Sequence, residues 1–425
     1  MINFKKTFEV VAVLLIISVL SIEIVAQNST NSPYTRFGYG KLTDAGFGRA
    51  NAMGGIGFGF RNKTTINPAN PAAYSCIDST SFLFEFGFSG LVSSYSTNST
   101  RTSKLAGNID YLALQFPVAK WLGVSAGIIP YSFTGYNFST IDSTMMPDPI
   151  DTTYIHKNQL FSGTGGISQL YLGLSFDLFE RLSVGINGYY MFGSVNNYRY
   201  LNVSSSDNRM TYSTYSHTEL RVRSLNTRIG LQYHQPLCNQ KDELTVGAIY
   251  EFQHKLGSEY STQIVGLDTT TQTGTNAFEL PNVYGLGVTY HKNNRLLFGA
   301  DFQYQQFAKA KFQNFTDTLN NRMKIAAGLE YIHKPNGNKY IDRVRWRVGA
   351  NYTNSYINVN GRSTNDFAIT AGVGFPFRTI KSVLNVNFEY GQFGTTSFDM
   401  IKENYFRIGV NFTLNENWFY KPKIQ

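Results

Sequence analysis

The sequence predicts an all-β protein: a transmembrane antiparallel β-barrel of about fourteen strands with an N-terminal plug, or hatch, in its lumen. Three observations carry that expectation. The chain opens MINFKKTFEVVAVLLIISVLSIEIVAQ, where Lys5 and Lys6 precede an apolar core from residue 10 to 20 and a small residue follows at Ala26. That layout is a secretory signal peptide over residues 1–26. The composition is poor in charge, at 15% Asp, Glu, Lys and Arg, and rich in Gly (38), Phe (33) and Tyr (28), far from ordinary globular usage. Finally, side-chain polarity alternates with a period of two over segments of roughly ten residues, as a wall between lipid and lumen requires. No later stretch approaches the roughly 20 apolar residues of a membrane helix.

Residues 27–79 come first. Within them NAMGGIGFGFRNKTTINPANPAAYS, at 51–75, places Gly54, Gly55, Gly57 and Gly59 ahead of a doubled motif, Asn67-Pro68-Ala69 and Asn70-Pro71-Ala72. Glycine entropy and the missing proline N–H disfavour helix and strand alike, and Asn-Pro sets tight turns. The segment therefore reads as compact irregular backbone.

The wall follows, over residues 80–415. In LSVGINGYYMFG the even positions Leu182, Val184, Ile186, Tyr190 and Phe192 are apolar, and Ser183, Gly185 and Asn187 take the odd ones. LLFGADFQYQ sets Phe298, Phe302 and Tyr304 against Asp301, Gln303 and Gln305. Such segments start near residues 80, 107, 121, 166, 181, 215, 243, 279, 294, 321, 341, 364, 381 and 403. Short and long connections alternate, which places both termini in the periplasm of a diderm bacterium. The longest outer loops are expected at 139–164 and 257–277. Pro130 falls inside the third strand, and a closed ladder gives a proline no free edge, so a bulge or kink is expected there. Residues 416–425, with Lys421-Pro422-Lys423, form a periplasmic tail.

The signal peptide, the AMGGIG run, Asn67-Pro68-Ala69, the strand count and LPNVYGLGVTYHKNNRLLFGADFQY at 280–304 together resemble the long-chain fatty-acid transporter FadL and its relatives. The resemblance covers most of the mature chain. It implies that residues 27–79 fold into the barrel as a hatch built on Gly54, Gly55, Gly57 and the doubled Asn-Pro-Ala. It implies a kink in the third strand, carried onto Gly127, Pro130 and Gly135, that opens a lateral window. The implied function is binding or passage of hydrophobic, fatty-acid-like molecules across the outer membrane. The alternative is a barrel subunit or adaptor of a larger outer-membrane machine for protein secretion, export or barrel assembly, as some FadL-like barrels act. The doubled motif, the basic tail and a lumen of paired charge favour that alternative.

Parity turns Arg228, Arg345, Arg347 and Arg407 into the lumen with Glu85, Glu251, Asp301, Glu330 and Glu389. Confined charges must pair, so this set holds plug to wall, with Arg49, Arg61 and Lys63 supplying plug cations. Arg345, Arg347 and Arg228 are the candidates for a ligand carboxylate. Arg221 and Arg223, outward at the rim, are candidates for lipopolysaccharide phosphates, alongside the surrounding outer-membrane lipid. Cys76 and Cys238 would both lie on the periplasmic side, where a disulfide could pin hatch to wall. Six scattered histidines and two cysteines offer no ligand spacing for a metal, and no cofactor is expected. The net charge of +9 is dispersed, which argues against nucleic acid. No Ser/His constellation supports an enzyme.

Overall fold

Alternation along the chain closes a continuous wall. The computed structural model describes residues 29–145, 154–179, 181–206, 211–237, 242–359, 361–377 and 382–417. Its barrel strands are β1 (Ser81–Ser96), β2 (Arg101–Ala119), β3 (Leu122–Met145), β4 (Tyr154–Leu178), β5 (Leu182–Ser205), β6 (Thr211–Pro236) and β7 (Glu243–Glu251). The wall continues with β8 (Val283–Lys292), β9 (Leu296–Gln305), β10 (Arg322–Ile332), β11 (Arg345–Val359), β12 (Arg362–Pro376), β13 (Val383–Phe393) and β14 (Lys402–Asn417). Each pairs antiparallel with the next, and β14 closes on β1 from Lys402↔Ser96 to Asn417↔Ser81. Glu416 and Asn417, expected in the 416–425 tail, belong to the wall, and 418–425, with Lys421 and Lys423, lie outside the described residues.

Parity reads as expected. Along β9, Phe298 and Phe302 are exposed on the outer face, and Asp301 is buried on the inner one. Leu225, Ile229, Leu231 and Tyr233 line the outside of β6 in the same way. This apolar exterior is the surface of a transmembrane barrel, because lipid replaces the water that would otherwise penalise it. No described helix is long and apolar enough to cross a membrane.

Strands β3 to β6 are far longer than a bilayer needs. They run 24, 25, 24 and 26 residues, against the roughly ten that span. The expected outer loop at 139–164 is mostly strand: Ser139 to Met145 pairs with Leu160 to Tyr154. The expected loop at 257–277 is likewise a hairpin, Ser258–Val265 with Thr269–Thr275, whose first strand continues the wall on β6. Above the bilayer both sheet faces meet water, so Ser, Thr and Asn replace the apolar parity and the sequence looks like loop. At the other end of the β10–β11 connection, the strand expected near 341 starts at Arg345, after a short helical turn at Tyr340–Arg343.

Pro130 marks a bulge, as the closed-ladder argument predicts. The β3–β4 register passes from Pro130↔Ser168 to Ser132↔Ile167 and leaves Tyr131 unpaired with β4. On its other side β3 pairs with β2 only from Leu112↔Ile128 to Ala119↔Leu122. Above that, β2 stays paired to β1 and β3 to β4, so the wall is unzipped between them.

Candidate functional site

The interior is occupied by the N-terminal segment, whose backbone and few side chains bond to inward-facing residues around the wall. The glycine run lies against β8 to β12. Gly57 and Phe58 donate their N–H groups to Asp301 Oδ2 at 2.5 and 2.8 Å, Thr289 Oγ1 donates to Gly59 O at 2.7 Å, and Gly54 N donates to Thr370 Oγ1 at 2.8 Å. Gly54 has φ +72°, a left-handed turn that a side chain would strain. Wall glycines complete the fit. A Cβ on Gly185 would strike the Pro71 backbone and one on Gly247 would strike Phe58 O, which accounts for part of the glycine excess.

The doubled Asn-Pro-Ala motif performs two separate tasks. Asn67 Nδ2 donates to Gly57 O and Phe60 O at 2.6 and 2.7 Å, closing the glycine loop on itself. Asn70 Oδ1 accepts from Ala72 N at 3.1 Å, capping the short helix Pro71–Cys76. Its Nδ2 meanwhile donates to Phe58 O at 2.8 Å and to Leu231 O of β6 at 3.1 Å. An asparagine before proline can do both, since its amide carries donor and acceptor and proline is preorganised for the first helical position.

Charge fixes the segment laterally. Arg49 makes a two-pronged contact with Glu330 at 2.9 and 2.6 Å, and Arg347 Nε donates to the same carboxylate at 2.6 Å. Arg61 pairs with Asp177 at 3.0 Å. Arg228 pairs with Glu251 and also donates to Ala69 O at 3.2 Å and Pro68 O at 3.4 Å, reaching the motif itself. Glu85 accepts from Ile66 N at 2.8 Å, and Glu389 faces Arg407 at 3.6 Å. Lys63, expected to meet a wall acid, instead pairs with Asp78 of its own segment at 3.5 Å. Of the three candidate ligand cations, Arg228 and Arg347 are thus committed to internal pairs. Arg345 has no ion-pair partner among the described residues.

Sequence reasoning missed one cluster. Asp44 accepts from Lys324 Nζ at 2.7 Å and from Arg322 Nη2 at 3.0 Å. Burial pushes its carboxyl up, but the guanidinium and ammonium outweigh this and hold it below the usual range. Arg322 and Lys324 share the inward parity of Ala326, which was the available signal; Asp44 sits in irregular backbone, where parity says nothing. A small internal cavity, about 160 Å³, is lined by Asp44, Arg322, Lys324, Asp366, Glu389 and Arg407 among others.

Segment 29–43 stands beside the unzipped stretch. Asn31 Nδ2 donates to Leu105 O at 3.2 Å and Asn108 Nδ2 to Ser29 O at 2.9 Å, both on the β2 side. On the β3 side, Lys41–Leu42 pairs antiparallel with Phe133 and Ser132, Thr43 N donates to Tyr131 O at 2.9 Å, and Thr43 Oγ1 donates to Pro130 O at 2.6 Å. Gly135 N and O both meet Thr35 Oγ1 at 3.1 Å, and Gly127 lies below, paired with Ala113. Arg221 and Arg223 point outward on β6, and Arg221 pairs with Glu219 at 2.7 Å. Cys76 is a free thiol that donates to Asn62 O at 2.9 Å, and burial pushes it up; Cys238 lies outside the described residues.

Comparison with known proteins agrees with this architecture. A family model described as BamG matches residues 4–425. No curated protein matches the chain at a significant level. Among solved structures, the Ralstonia pickettii toluene transporter TbuX is similar over 88% of this chain and 99% of its own, at 15% identity and a TM-score of 0.55. A Pseudomonas aeruginosa FadL homologue is similar over 88% and 98%, at 14% identity and a TM-score of 0.57. The CymD monoaromatic hydrocarbon channel is similar over 90% and 100%, at 15% identity and a TM-score of 0.55. At such identities the shared property is the FadL-like fold.

Proposed function

The chain belongs to the BamG family, and from that premise we propose that it is a non-enzymatic barrel subunit of a larger outer-membrane machine, of the protein secretion, export or barrel-assembly class. The observation that carries the reading is the use made of lumenal charge. Arg49, Arg228, Arg347, Glu251, Glu330 and Asp301 all hold the N-terminal segment in place or hold one another. A lumen spent on internal pairs has little left with which to recognise a substrate. The long strands β3 to β6 add a tall sheet beyond the bilayer, which offers surface to neighbouring proteins. Extraction in mild detergent, followed by native-mass measurement and identification of what co-purifies, tests this. A stoichiometric complex is expected; a lone monomer under the gentlest conditions refutes it.

A second reading has its own observation. The wall is unzipped beside Pro130, and hydrocarbon and toluene channels share this fold. On that reading hydrophobic small molecules pass sideways between β2 and β3, with Gly127, Pro130 and Gly135 shaping the exit. It requires that Pro130→Ala alter uptake of an apolar tracer by cells or proteoliposomes, and unchanged uptake removes it.

A further inference from the structure

Unpaired strand edges are a hazard that proteins suppress with lysine, proline, bulges or a covering segment. The upper part of β3 carries such an edge. Its parity follows from the contacts already described: Tyr131 and Gly135 turn their backbone groups away from β4, toward the N-terminal segment. The β3–β4 register is unbroken from Ser132 to Met145. Odd residues therefore direct N–H and C=O to the open side up to Met145, that is Asn137, Ser139, Ile141 and Ser143 beyond Gly135. None has a partner strand on that side among the described residues. None is lysine or proline, and Ile141 is 76% exposed.

The same edge accepts an added strand lower down, where Lys41–Leu42 pairs with it antiparallel. The free stretch continues that interface upward. We propose that the β3 edge from Asn137 to Met145 is a strand-addition site for an extended segment of another polypeptide, docked antiparallel through main-chain hydrogen bonds. The chemistry of the guest is set by the sheet it extends. Ser139 heads a cross-strand row through Leu160, Tyr200, Tyr215 and Val265, whose last four members are each 38–44% exposed. A guest with an apolar or aromatic residue opposite Ser139 prolongs that row, and Asp142, the one charged residue of the edge, already faces Lys157 across the β3–β4 ladder. The proposal deepens the reading of the chain as a subunit, and its test needs no partner complex, so the two fail separately.

The test uses the full-length protein in detergent and a synthetic decapeptide alternating threonine and valine with one central tyrosine. Backbone hydrogen exchange is followed residue by residue. The peptide is expected to slow exchange at Asn137, Ser139, Ile141 and Ser143 at least tenfold, and to leave the even-numbered amides, already bonded to β4, unchanged. A peptide N-methylated along its bonding edge is expected to do nothing. Ser139→Pro removes only an edge-facing N–H and is expected to abolish the effect; the exposed Ile141→Lys variant is expected to do so without touching the backbone. The proposal is overturned if the odd amides are already protected without peptide, if the peptide slows none of them, or if the N-methylated peptide slows them equally.

Discussion

Glu330→Ala is the sharpest probe of what holds the lumenal segment. Glu330 is 2% exposed and accepts two bonds from Arg49 of the segment and one from Arg347 of the wall. Its loss strands two guanidinium groups, one of them Arg49 at 5% exposure. Breaking a buried pair from one side costs about 3–5 kcal/mol. At about 1.4 kcal/mol per decade, the equilibrium for release of the segment should rise by roughly two to four orders of magnitude. Hydrogen exchange in the fast-reclosing regime reads that equilibrium directly. The amides of Gly54, Gly57 and Phe58, bonded to Thr370 and Asp301, should lose protection by at least a hundredfold while β10 and β11 keep theirs. Arg49→Met added to Glu330→Ala should recover part of the loss, because one stranded charge is removed. A change below tenfold at those amides in a folded barrel would mean that the segment is held by its packing and backbone contacts alone, and the ion-pair argument would be wrong.

Three further outcomes follow from the same geometry. Asn70→Ala removes a helix cap and leaves Phe58 O and Leu231 O without that donor, so the segment should be destabilised by about 2–3 kcal/mol, measured by the same exchange or by protease cleavage within residues 51–75. Asp44 has a depressed folded value; its contribution is complete above the unfolded carboxylate range, near pH 4, and is lost as pH falls through the folded value. Protection around Thr43 should then decline as pH falls below 4, and Asp44→Asn should be weaker at neutral pH and lose less on acidification than the parent chain. Cys76, half-buried with its thiol bonded to Asn62 O and its ionisation disfavoured, should react with a maleimide more slowly in the native protein than after denaturation; equal rates would contradict its placement.

The wall was legible because a barrel in lipid leaves a period-two signature, and Phe298, Asp301 and Phe302 follow it residue by residue. The signature fades where its cause does. At Ser139–Met145 and Tyr154–Leu160 water lies on both faces, so strands there read as loop. Pro130 could be placed at a bulge because a closed ladder has no other place for it. An opening at the third strand was implied by the family resemblance alone; that β2 parts from β3 concerns which strand meets which, and local polarity carries no such information. The motif's location followed from family resemblance; the division of labour between Asn67 and Asn70 appeared only in the hydrogen bonds. Parity turned Arg347 and Glu330 inward correctly. It could not say which wall acid Arg49 would meet, since Arg49 belongs to a segment without periodicity.

Why the lumen relies on buried ion pairs at all can be argued from the segment's own composition. Buried pairs contribute little net stability, and apolar replacements of similar volume often do as well. Gly54, Gly55, Gly57, Ala69 and Ala72, however, present almost no side chain, so position is set jointly by the apolar contacts of Met53, Ile56 and Phe60 with Leu297 and Ala326 and by the polar pairs. Arg49 with Glu330, Arg61 with Asp177 and Asp301 with the Gly57 and Phe58 amides each penalise a shift along or around the lumen. We therefore expect specificity of position, more than stability, to be what the pairs confer. Replacing Arg49, Glu330 and Arg347 together by Met, Leu and Met should keep the barrel and most of its thermal stability. The amides of residues 54 to 60 should instead show several exchange populations in place of one. A single population with wild-type protection in that triple variant would show that backbone contacts suffice to set the register.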